Sequence, residues 1–322
     1  MTKIDKHIEV VRSSDQKNYH SLADVLKSRY TQVGITNVDN IDDLKSLVAK
    51  QPDLVYLRRN KLPRLTHYPY DPSDTIWVSE YLEDRGITYT GSATAVMPVV
   101  LDKARANQVI ANAGLNTSAF FVAKEDEQNI MNEHSLVYPL FVKPLSRGDG
   151  IGIGADSVVH DLNSLEQKAS SIIKDFHGVA LVEEYLPGRE FSVALLKDIS
   201  SDNLLAMPIE IITNKNGNGD RILGQNTKRE NSEQVLAVPE GDIREAVINL
   251  ARKAFGALGA RDYGRIDIRM DNQGVPSFIE ANLIPGAGNG YFTRACWINR
   301  QMDYSAMVLY IVNLAFARQG DS

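Results

Sequence analysis

The chain has 322 residues, which is long for one hydrophobic core and predicts two or three packed units of about 100 to 150 residues each. Its hydrophobic content of 43% is ordinary for a globular protein, and no window reaches the roughly 18 uninterrupted apolar residues of a membrane span. A net charge of -6 argues against a broad nucleic-acid-binding surface. We therefore expect a soluble protein with no nucleic-acid or membrane partner, in which a local basic pocket for a small anion is still allowed.

The first residues, MTKIDKHIEVVRSS, contain no apolar stretch followed by a small-residue cleavage site, so no secretory signal is predicted. The single cysteine, Cys296, permits no internal disulfide, which fits a reducing cytoplasm. Because nothing next to it in the sequence would activate a thiol, we interpret Cys296 as a small buried residue. The expected location is cytoplasmic.

Residues 1–95 alternate short apolar runs with helical stretches, a pattern that predicts a parallel sheet flanked by helices. Residues 96–180 belong to a second unit, which opens with one long predicted helix, AVMPVVLDKARANQVIANAG, ended by Gly114, and continues with strands and a glycine-rich loop. Residues 181–322 contain further strands, a long polar loop at 213–234, a helix, a hairpin and a terminal helix. The fold class is therefore α/β (α+β), in three units.

The segment VKPLSRGDGIGIG, residues 142–154, places Lys143 at a strand end before four glycines. Glycines allow backbone N–H groups to turn towards phosphate oxygens, and a lysine adds positive charge. The alternative is an ordinary turn. Lys103 lies in the long predicted helix, where the alternative is a lysine that faces water.

The segment LVEEYLPGREFSV, residues 181–193, is predicted as a strand, a short Pro-Gly crossing and another strand. A strand that leaves its sheet exposes backbone groups that can pair with an adenine edge. Glu183 would then accept from the exocyclic amine of adenine, and Glu190 from ribose hydroxyls. An exposed turn with solvated acidic residues is the alternative.

The segment YGRIDIRMDNQGVPSFIEANLIPG, residues 263–286, is predicted as a hairpin whose turn is Asp271 to Gly274. Side chains alternate between the faces of a strand, so one face of the first strand would carry Arg265, Asp267 and Arg269. One face of the second strand would carry Phe278, Glu280 and Asn282 by the same alternation. Mg²⁺ prefers such carboxylate and amide oxygens, and cross-strand neighbours lie roughly 4.5 to 8 Å apart. Asp267, Glu280 and Asn282 are the candidate metal ligands, with a solvated face of an edge hairpin as the alternative.

In this order the motifs resemble the ATP-grasp superfamily and, more closely, the D-alanine-D-alanine ligase family. The resembling segments cover much of residues 88–290. The resemblance implies an ATP-grasp fold with an N-terminal parallel-sheet (preATP-grasp) domain. Residues 1–95 would form the substrate-side domain, 96–180 the central subdomain with the glycine-rich loop, and 181–322 the C-terminal subdomain with the metal site.

The resemblance also implies roles for individual residues. ATP would be held by Lys103 and Lys143 at its phosphates, and by Glu183, Glu184, Tyr185, Leu186 and Glu190 around its adenosine. Two Mg²⁺ ions, or Mn²⁺ in their place, would be bound by Asp267, Glu280 and Asn282. Arg265, with the backbone of Gly286 beside it, would face the tetrahedral intermediate. Apart from the resemblance, the length and polarity of the loop around residues 227–234 predict a lid that orders only over bound nucleotide, in which Lys228 or Arg229 contacts phosphate.

The reaction implied is that of an ATP-dependent carboxylate-amine ligase. A substrate carboxylate attacks the γ-phosphate of ATP, and an amine then displaces phosphate from the acyl phosphate to leave an amide. The leading hypothesis is a D-alanine-D-alanine ligase or close relative that serves peptidoglycan synthesis, acting on small amino-acid-like substrates and forming a homodimer, as is common in the family. The alternatives are a ligase for other amino acids or a small secondary metabolite, and a non-catalytic nucleotide-binding module.

Three departures from the family pattern fall where amino-acid substrates would lie. The first strand ends in VVRSSDQKNYHS, with Arg12, Ser13 and Ser14 but with no acidic residue in the arrangement of a typical member. The glycine loop has Gly148-Asp149-Gly150 in place of Gly-Ser-Ser, and the run from Ala287 to Phe292 replaces Met-Thr-x-His-Ser. We therefore expect intact ATP-coupling residues beside an altered substrate site.

Overall fold

The computed structural model describes residues 2–14, 20–63, 75–125, 134–176, 178–201, 203–286 and 288–320. Its N-terminal part contains β1 (Ile4–Arg12), α1 (His20–Arg29), β2 (Tyr30–Asn37), α2 (Ile41–Ala49) and β3 (Leu54–Leu57). The described strands pair in parallel in the order β2-β1-β3. This confirms the predicted N-terminal parallel sheet.

The long helix predicted for residues 95–114 is broken in the structure. After β4 (Lys61–Pro63), β5 (Thr75–Trp77) and α3 (Val78–Glu83), the chain forms a 3-10 turn and then α4 (Met97–Leu101) and α5 (Lys103–Asn112). Asp102 separates them because its backbone is extended and its carboxylate accepts a hydrogen bond from the Arg105 N–H at 3.0 Å, which caps α5. The prediction of one continuous helix was wrong, and Lys103 instead begins a new helix.

The central sheet lies between the two predicted nucleotide segments. It contains β6 (Phe120–Ala123), β7 (Leu140–Pro144), β8 (Val158–Val159) and, after α6 (Leu162–Phe176), β9 (Ala180–Glu184). In the described chain these strands run antiparallel in the order β6-β9-β7-β8. The glycine-rich loop follows β7, so Lys143 and the loop lie at the same end of the sheet.

The largest described sheet has the antiparallel order β12-β11-β10-β13-β14. It contains β10 (Glu190–Lys197), β11 (Leu204–Ile212), β12 (Gln234–Ala237), β13 (Tyr263–Met270) and β14 (Pro276–Asn282). The accompanying helices are α7 (Gln225–Glu230), α8 (Asp242–Ala257), α9 (Tyr291–Arg300) and α10 (Tyr304–Gly320). The predicted hairpin is present as β13 and β14.

A β-bulge interrupts this hairpin beside the candidate metal ligands. Asp267 pairs with Glu280, but the next residue, Ile268, pairs with Phe278, so Ile279 is the extra residue. Phe278 therefore lies on the opposite face from Glu280, with a side chain 1% exposed in the core. The expectation that Phe278 shares a face with Glu280 and Asn282 was wrong, because the bulge shifts the alternation by one residue.

The large sheet is covered on both faces. Alternate residues of β10, among them Phe191 and Val193, pack with α5 and α8. Residues of the other face, such as Ala194, pack with α9, α10 and the N-terminal sheet. Cys296 is fully buried in this second core, as predicted. None of the described helices is long and apolar enough to cross a membrane. The division at residues 95 and 180 stays a prediction.

Candidate active site

A cavity of about 830 Å³, including the part open to solvent, is lined by residues of the central sheet and of the largest described sheet. Most of the predicted site residues line it, namely Lys103, Lys143, Glu183, Glu184, Tyr185, Leu186, Glu190, Lys228, Asp267 and Glu280. Arg265, Asn282 and Gly286 lie outside this lining. Residues up to 177 positions apart in the sequence, counted from Lys103 to Glu280, thus meet at one cavity.

Two buried lysines mark one end of the cavity. Lys103 is 7% exposed, so it is not the water-facing lysine of the alternative interpretation, and Lys143 is 2% exposed. The Lys103 ammonium donates to the carbonyl of Arg147 in the glycine-rich loop at 2.6 Å and lies 3.7 Å from Glu280 Oε2. Burial lowers the pKa of Lys103 although Glu280 opposes the shift. Two positive charges are therefore held where they can meet an anionic ligand.

Glu183 connects the lysine end to the predicted adenosine segment. Its Oε2 lies 2.6 Å from the Lys143 ammonium, and its Oε1 accepts from the Asn107 side-chain amide at 2.8 Å. In this structure both carboxylate oxygens therefore have protein partners. The role of Glu183 towards adenine stays a prediction, and its contacts show that it also holds Lys143 in place.

Aromatic rings line the same cavity. The Phe141 and Tyr185 rings are 6.4 Å apart between centroids, with an interplanar angle of 23°. Flat apolar surfaces of this kind suit a planar base. Phe141 could not be recognised as a site residue from the sequence, because an aromatic residue in a strand usually indicates core packing.

Arg269 contacts Glu190, the residue predicted to accept hydrogen bonds from the ribose hydroxyls. Its Nη1 lies 3.4 Å from Glu190 Oε2, and its Nη2 donates to the Tyr185 hydroxyl at 3.0 Å. Burial raises the pKa of Glu190 despite the opposing charge of Arg269. The sequence placed Arg269 on the same strand face as Asp267 but assigned it no role. That shared face is the feature from which Arg269 could have been predicted as a site residue.

Arg265 and Asp267 form a bidentate ion pair at the centre of the hairpin. Arg265 donates from Nε to Asp267 Oδ1 at 2.9 Å and from Nη2 to Oδ2 at 2.8 Å. The Ser192 hydroxyl donates to Asp267 Oδ1 at 2.6 Å, and Arg265 Nη2 lies 4.0 Å from Glu280 Oε1. Burial disfavours the charge on Arg265, but the Asp267 carboxylate raises its pKa overall. This pairing is also what a structural arginine would show, so the catalytic role of Arg265 stays a prediction.

Glu280 is an ionised carboxylate surrounded by cations. Burial acts to raise its pKa, but the charges of Lys103, Lys228, Lys143 and Arg265 outweigh that effect and lower the pKa to about 2. Glu280 is therefore fully ionised at neutral pH. An anionic oxygen donor is available there for a cation.

The donor chemistry at the hairpin fits Mg²⁺. Asp267 and Glu280 are directly opposed across β13 and β14, and Asn282 is opposed to Arg265 on the same face. The Asn282 Oδ1 accepts from the Ile284 N–H at 3.1 Å. Among the described residues no group of three His, Cys, Asp or Glu side chains forms a metal site. Two carboxylates and one amide are nevertheless sufficient, because Mg²⁺ usually takes one or two carboxylates and completes its shell with phosphate oxygens and water.

The predicted lid contains a short helix, α7, packed on the glycine-rich loop. A Cβ on Gly150, whose φ is +74°, would lie 2.9 Å from the Gln225 nitrogen, and one on Gly224 would lie 2.6 Å from the Ile153 carbonyl oxygen. Both positions therefore require glycine for this close approach. Lys228 of α7 lines the cavity, and its contact with phosphate as part of a lid stays a prediction.

The predicted substrate-side departures are only partly described. Arg12 donates to Asn37 Oδ1 at 2.8 Å, whereas residues 15–19 and Ala287 lie outside the described residues. Gly286 is exposed, with no atom within 4 Å of an added Cβ. Its position next to Arg265 at the reacting centre stays a prediction.

The family model described as D-ala D-ala ligase C-terminus matches residues 109–313. The chain belongs to the D-alanine-D-alanine ligase family. It is 30% identical to a D-alanine-D-alanine ligase of Laribacter hongkongensis over 73% of this chain and 72% of the relative. The corresponding enzyme of Hydrogenovibrio crunogenus is 28% identical over 74% of this chain and 72% of the relative.

Solved structures of this family share the fold. The D-alanine-D-alanine ligase of Bacillus anthracis complexed with ATP matches with a TM-score of 0.71 and 18% identity, over 98% of this chain and all of that chain. The VanG D-Ala:D-Ser ligase of Enterococcus faecalis matches with a TM-score of 0.69 and 20% identity, over 97% and 100%. The predicted family, the ATP-grasp fold and the assignment to ATP-dependent ligases are therefore confirmed.

Proposed function

We propose that the protein joins the carboxylate of one small amino acid to the amine of another through an acyl phosphate made from ATP. The observation that carries this proposal is that Lys103, Lys143, Asp267 and Glu280 line one cavity, while Arg265, outside the lining, pairs with Asp267 and lies 4.0 Å from Glu280. The residues predicted to surround adenosine line the same cavity. This arrangement would place the γ-phosphate of ATP beside the carboxylate pair.

The proposed first step brings two anions together, so positive charge must offset their repulsion. Lys103 and Lys143 would bind the phosphates and withdraw charge from the γ-phosphate. Asp267, Glu280 and Asn282 would hold divalent metal, for which we propose two Mg²⁺ ions, and the metal would neutralise charge on the transferred phosphoryl group. Arg265 would stabilise the oxyanion that develops when the amine attacks. The described chain thereby supplies binding and charge, and no protein nucleophile is needed.

For the amino acids, D-alanine at both positions is the leading proposal, because relatives covering most of this chain are D-alanine-D-alanine ligases. A second candidate is a ligase that takes a different acceptor. Tyr291 supports it, since this large residue belongs to the run that replaces Met-Thr-x-His-Ser of the family pattern, and its ring centroid lies 5.6 Å from the guanidinium carbon of Arg265. A role in cell-wall precursor synthesis, a cytoplasmic location and a homodimer stay predictions.

The test is ADP release with Mg²⁺ and ATP across pairs of D- and L-amino acids, with Glu280→Gln and Glu240→Gln as matched variants. Glu240 is 89% exposed in its pair with Arg244, so its substitution should leave turnover unchanged. Glu280→Gln should reduce turnover by orders of magnitude, since it removes a charge from the metal site. ATP binding without ADP release for any amino-acid pair would instead indicate a nucleotide-binding module.

A further inference from the structure

The lid helix α7 is held at both of its ends. Its first residue contacts the glycine-rich loop at Gly150, where no side chain fits. At its other end Asn231 has a left-handed backbone, with φ of 50°, which ends the helix and turns the chain back. The following residues carry Glu233 into the protein, with a side chain only 3% exposed.

Glu233 is an unusual residue to bury immediately after a polar lid. Its Oε1 accepts a hydrogen bond from the Tyr291 hydroxyl at 3.0 Å, and Arg294 Nη1 lies 3.8 Å from the same oxygen. Within the described chain its Oε2 has no hydrogen-bond partner. A buried carboxylate is costly, so this single hydrogen bond is the strongest polar contact that keeps Glu233 in place.

Tyr291 connects this contact to the reacting centre. Its ring lies against Arg265 at 5.6 Å, while its hydroxyl reaches Glu233. Burial, followed by the negative charge of Glu233, raises the pKa of Tyr291, so the phenol keeps its proton and acts as the donor. One aromatic side chain therefore contacts the arginine of the site and the segment that follows the lid.

We propose that Tyr291 and Glu233 form a latch that holds the lid helix α7 over the cavity and fixes it to the Arg265 side of the site. Tyr291 is thus a positioning residue, which places Lys228 of the lid over the ligand. The inference rests on the proposed function only in taking the cavity as the nucleotide site. The family pattern Met-Thr-x-His-Ser, which the run from Ala287 to Phe292 replaces, specifies no tyrosine for such a contact.

The test is the rate at which trypsin cleaves after Lys228 and Arg229 in the whole, unliganded protein. Tyr291→Phe keeps the ring against Arg265 but removes the donor. Losing a hydrogen bond to a charged acceptor should increase the population of molecules with an open lid about tenfold or more. When the lid opens and closes faster than trypsin cleaves, the cleavage rate is proportional to that open population. Tyr310→Phe is the matched control, because the Tyr310 hydroxyl donates to the Lys197 carbonyl at 3.1 Å, away from the cavity.

Two further measurements separate a latch from general destabilisation. Glu233→Gln keeps a carbonyl acceptor for Tyr291, so its cleavage should rise less than that of Tyr291→Phe. The affinity for a non-hydrolysable ATP analogue with Mg²⁺ should fall in Tyr291→Phe and stay at the parent value in Tyr310→Phe. Parent-like cleavage of Tyr291→Phe would overturn the latch. If the parent does not bind the analogue, the proposed function fails, while the cleavage comparison still decides the latch.

Discussion

The ion pair between Lys143 and Glu183 allows a stability prediction that depends on burial. Glu183→Gln would remove the only carboxylate within hydrogen-bond distance of Lys143 that the structure describes, at 2.6 Å. The two side chains are 3% and 7% exposed, so water cannot replace the lost partner. The nearby ammonium of Lys103 adds repulsion. Asn107, which donates to Glu183, would still find an acceptor in the glutamine carbonyl.

The expected cost is set by the unpaired charge that remains. Breaking a buried ion pair from one side typically costs about 3 to 5 kcal/mol, whereas removing both charges is often close to neutral. We therefore expect Glu183→Gln to lower the free energy of unfolding by about 3 kcal/mol or more. The double variant Glu183→Gln with Lys143→Met should recover a large part of that loss.

Urea denaturation followed by tryptophan fluorescence would measure these free energies. Lys45→Gln is the matched control, because Lys45 lies 2.8 Å from Asp42 in a pair whose side chains are 63% and 79% exposed. Its loss should not be measurable, since solvent screens exposed pairs. An equal urea midpoint for Glu183→Gln and Lys45→Gln would refute the prediction that burial makes the ion pair between Lys143 and Glu183 costly to break.

Three other predictions concern the site. Arg265→Ala should reduce kcat by about a hundred- to a thousandfold with little change in affinity for an ATP analogue, and early melting with poor binding would instead make Arg265 a structural partner of Asp267. The pKa of Glu280 is lowered from 4.5 to about 2, so its contribution to stability is present above about pH 4.5 and lost as the pH falls towards 2. The stability gap between the parent and Glu280→Gln in urea titrations should therefore narrow over that range, and a constant gap would contradict the charge argument. Gly150→Ala places a Cβ 2.9 Å from the Gln225 nitrogen at a backbone φ of +74°. It should therefore displace the lid, accelerate trypsin cleavage of the lid and lower the free energy of unfolding by more than about 1 kcal/mol. An unchanged cleavage rate would contradict this packing.

The features that sequence analysis predicted are those encoded within short segments. The hairpin has its turn residues between two apolar strands, and the lysine before the glycine-rich loop lies within a few residues of that loop. Alternation correctly paired Asp267 with Glu280 on one face. It failed for Phe278 because a bulge adds one residue without leaving a pattern in the sequence.

Other features depend on contacts between distant segments. Asp102 caps α5, but the third residue of that helix is Arg105 and not the Glu or Gln of a capping box. The sequence therefore contained no capping-box pattern from which the break at Asp102 could be predicted. The hydrogen bond from Tyr291 to Glu233 joins residues 58 positions apart. Such a contact has no local pattern and emerges only when α9 packs beside the lid.

The core shared by the first and last elements has a consequence for the order of folding. Ile8 of β1 and Leu26 of α1 are buried with Val308 and Ile311 of α10. Arg318, near the end of α10, forms an ion pair with Asp262 and donates to the carbonyl of Tyr89 at 2.6 Å. During synthesis β1 and α1 therefore emerge before α10 and cannot bury this face until α10 has left the ribosome. Until then the nascent chain would expose this apolar surface, a condition that makes folding intermediates prone to aggregation.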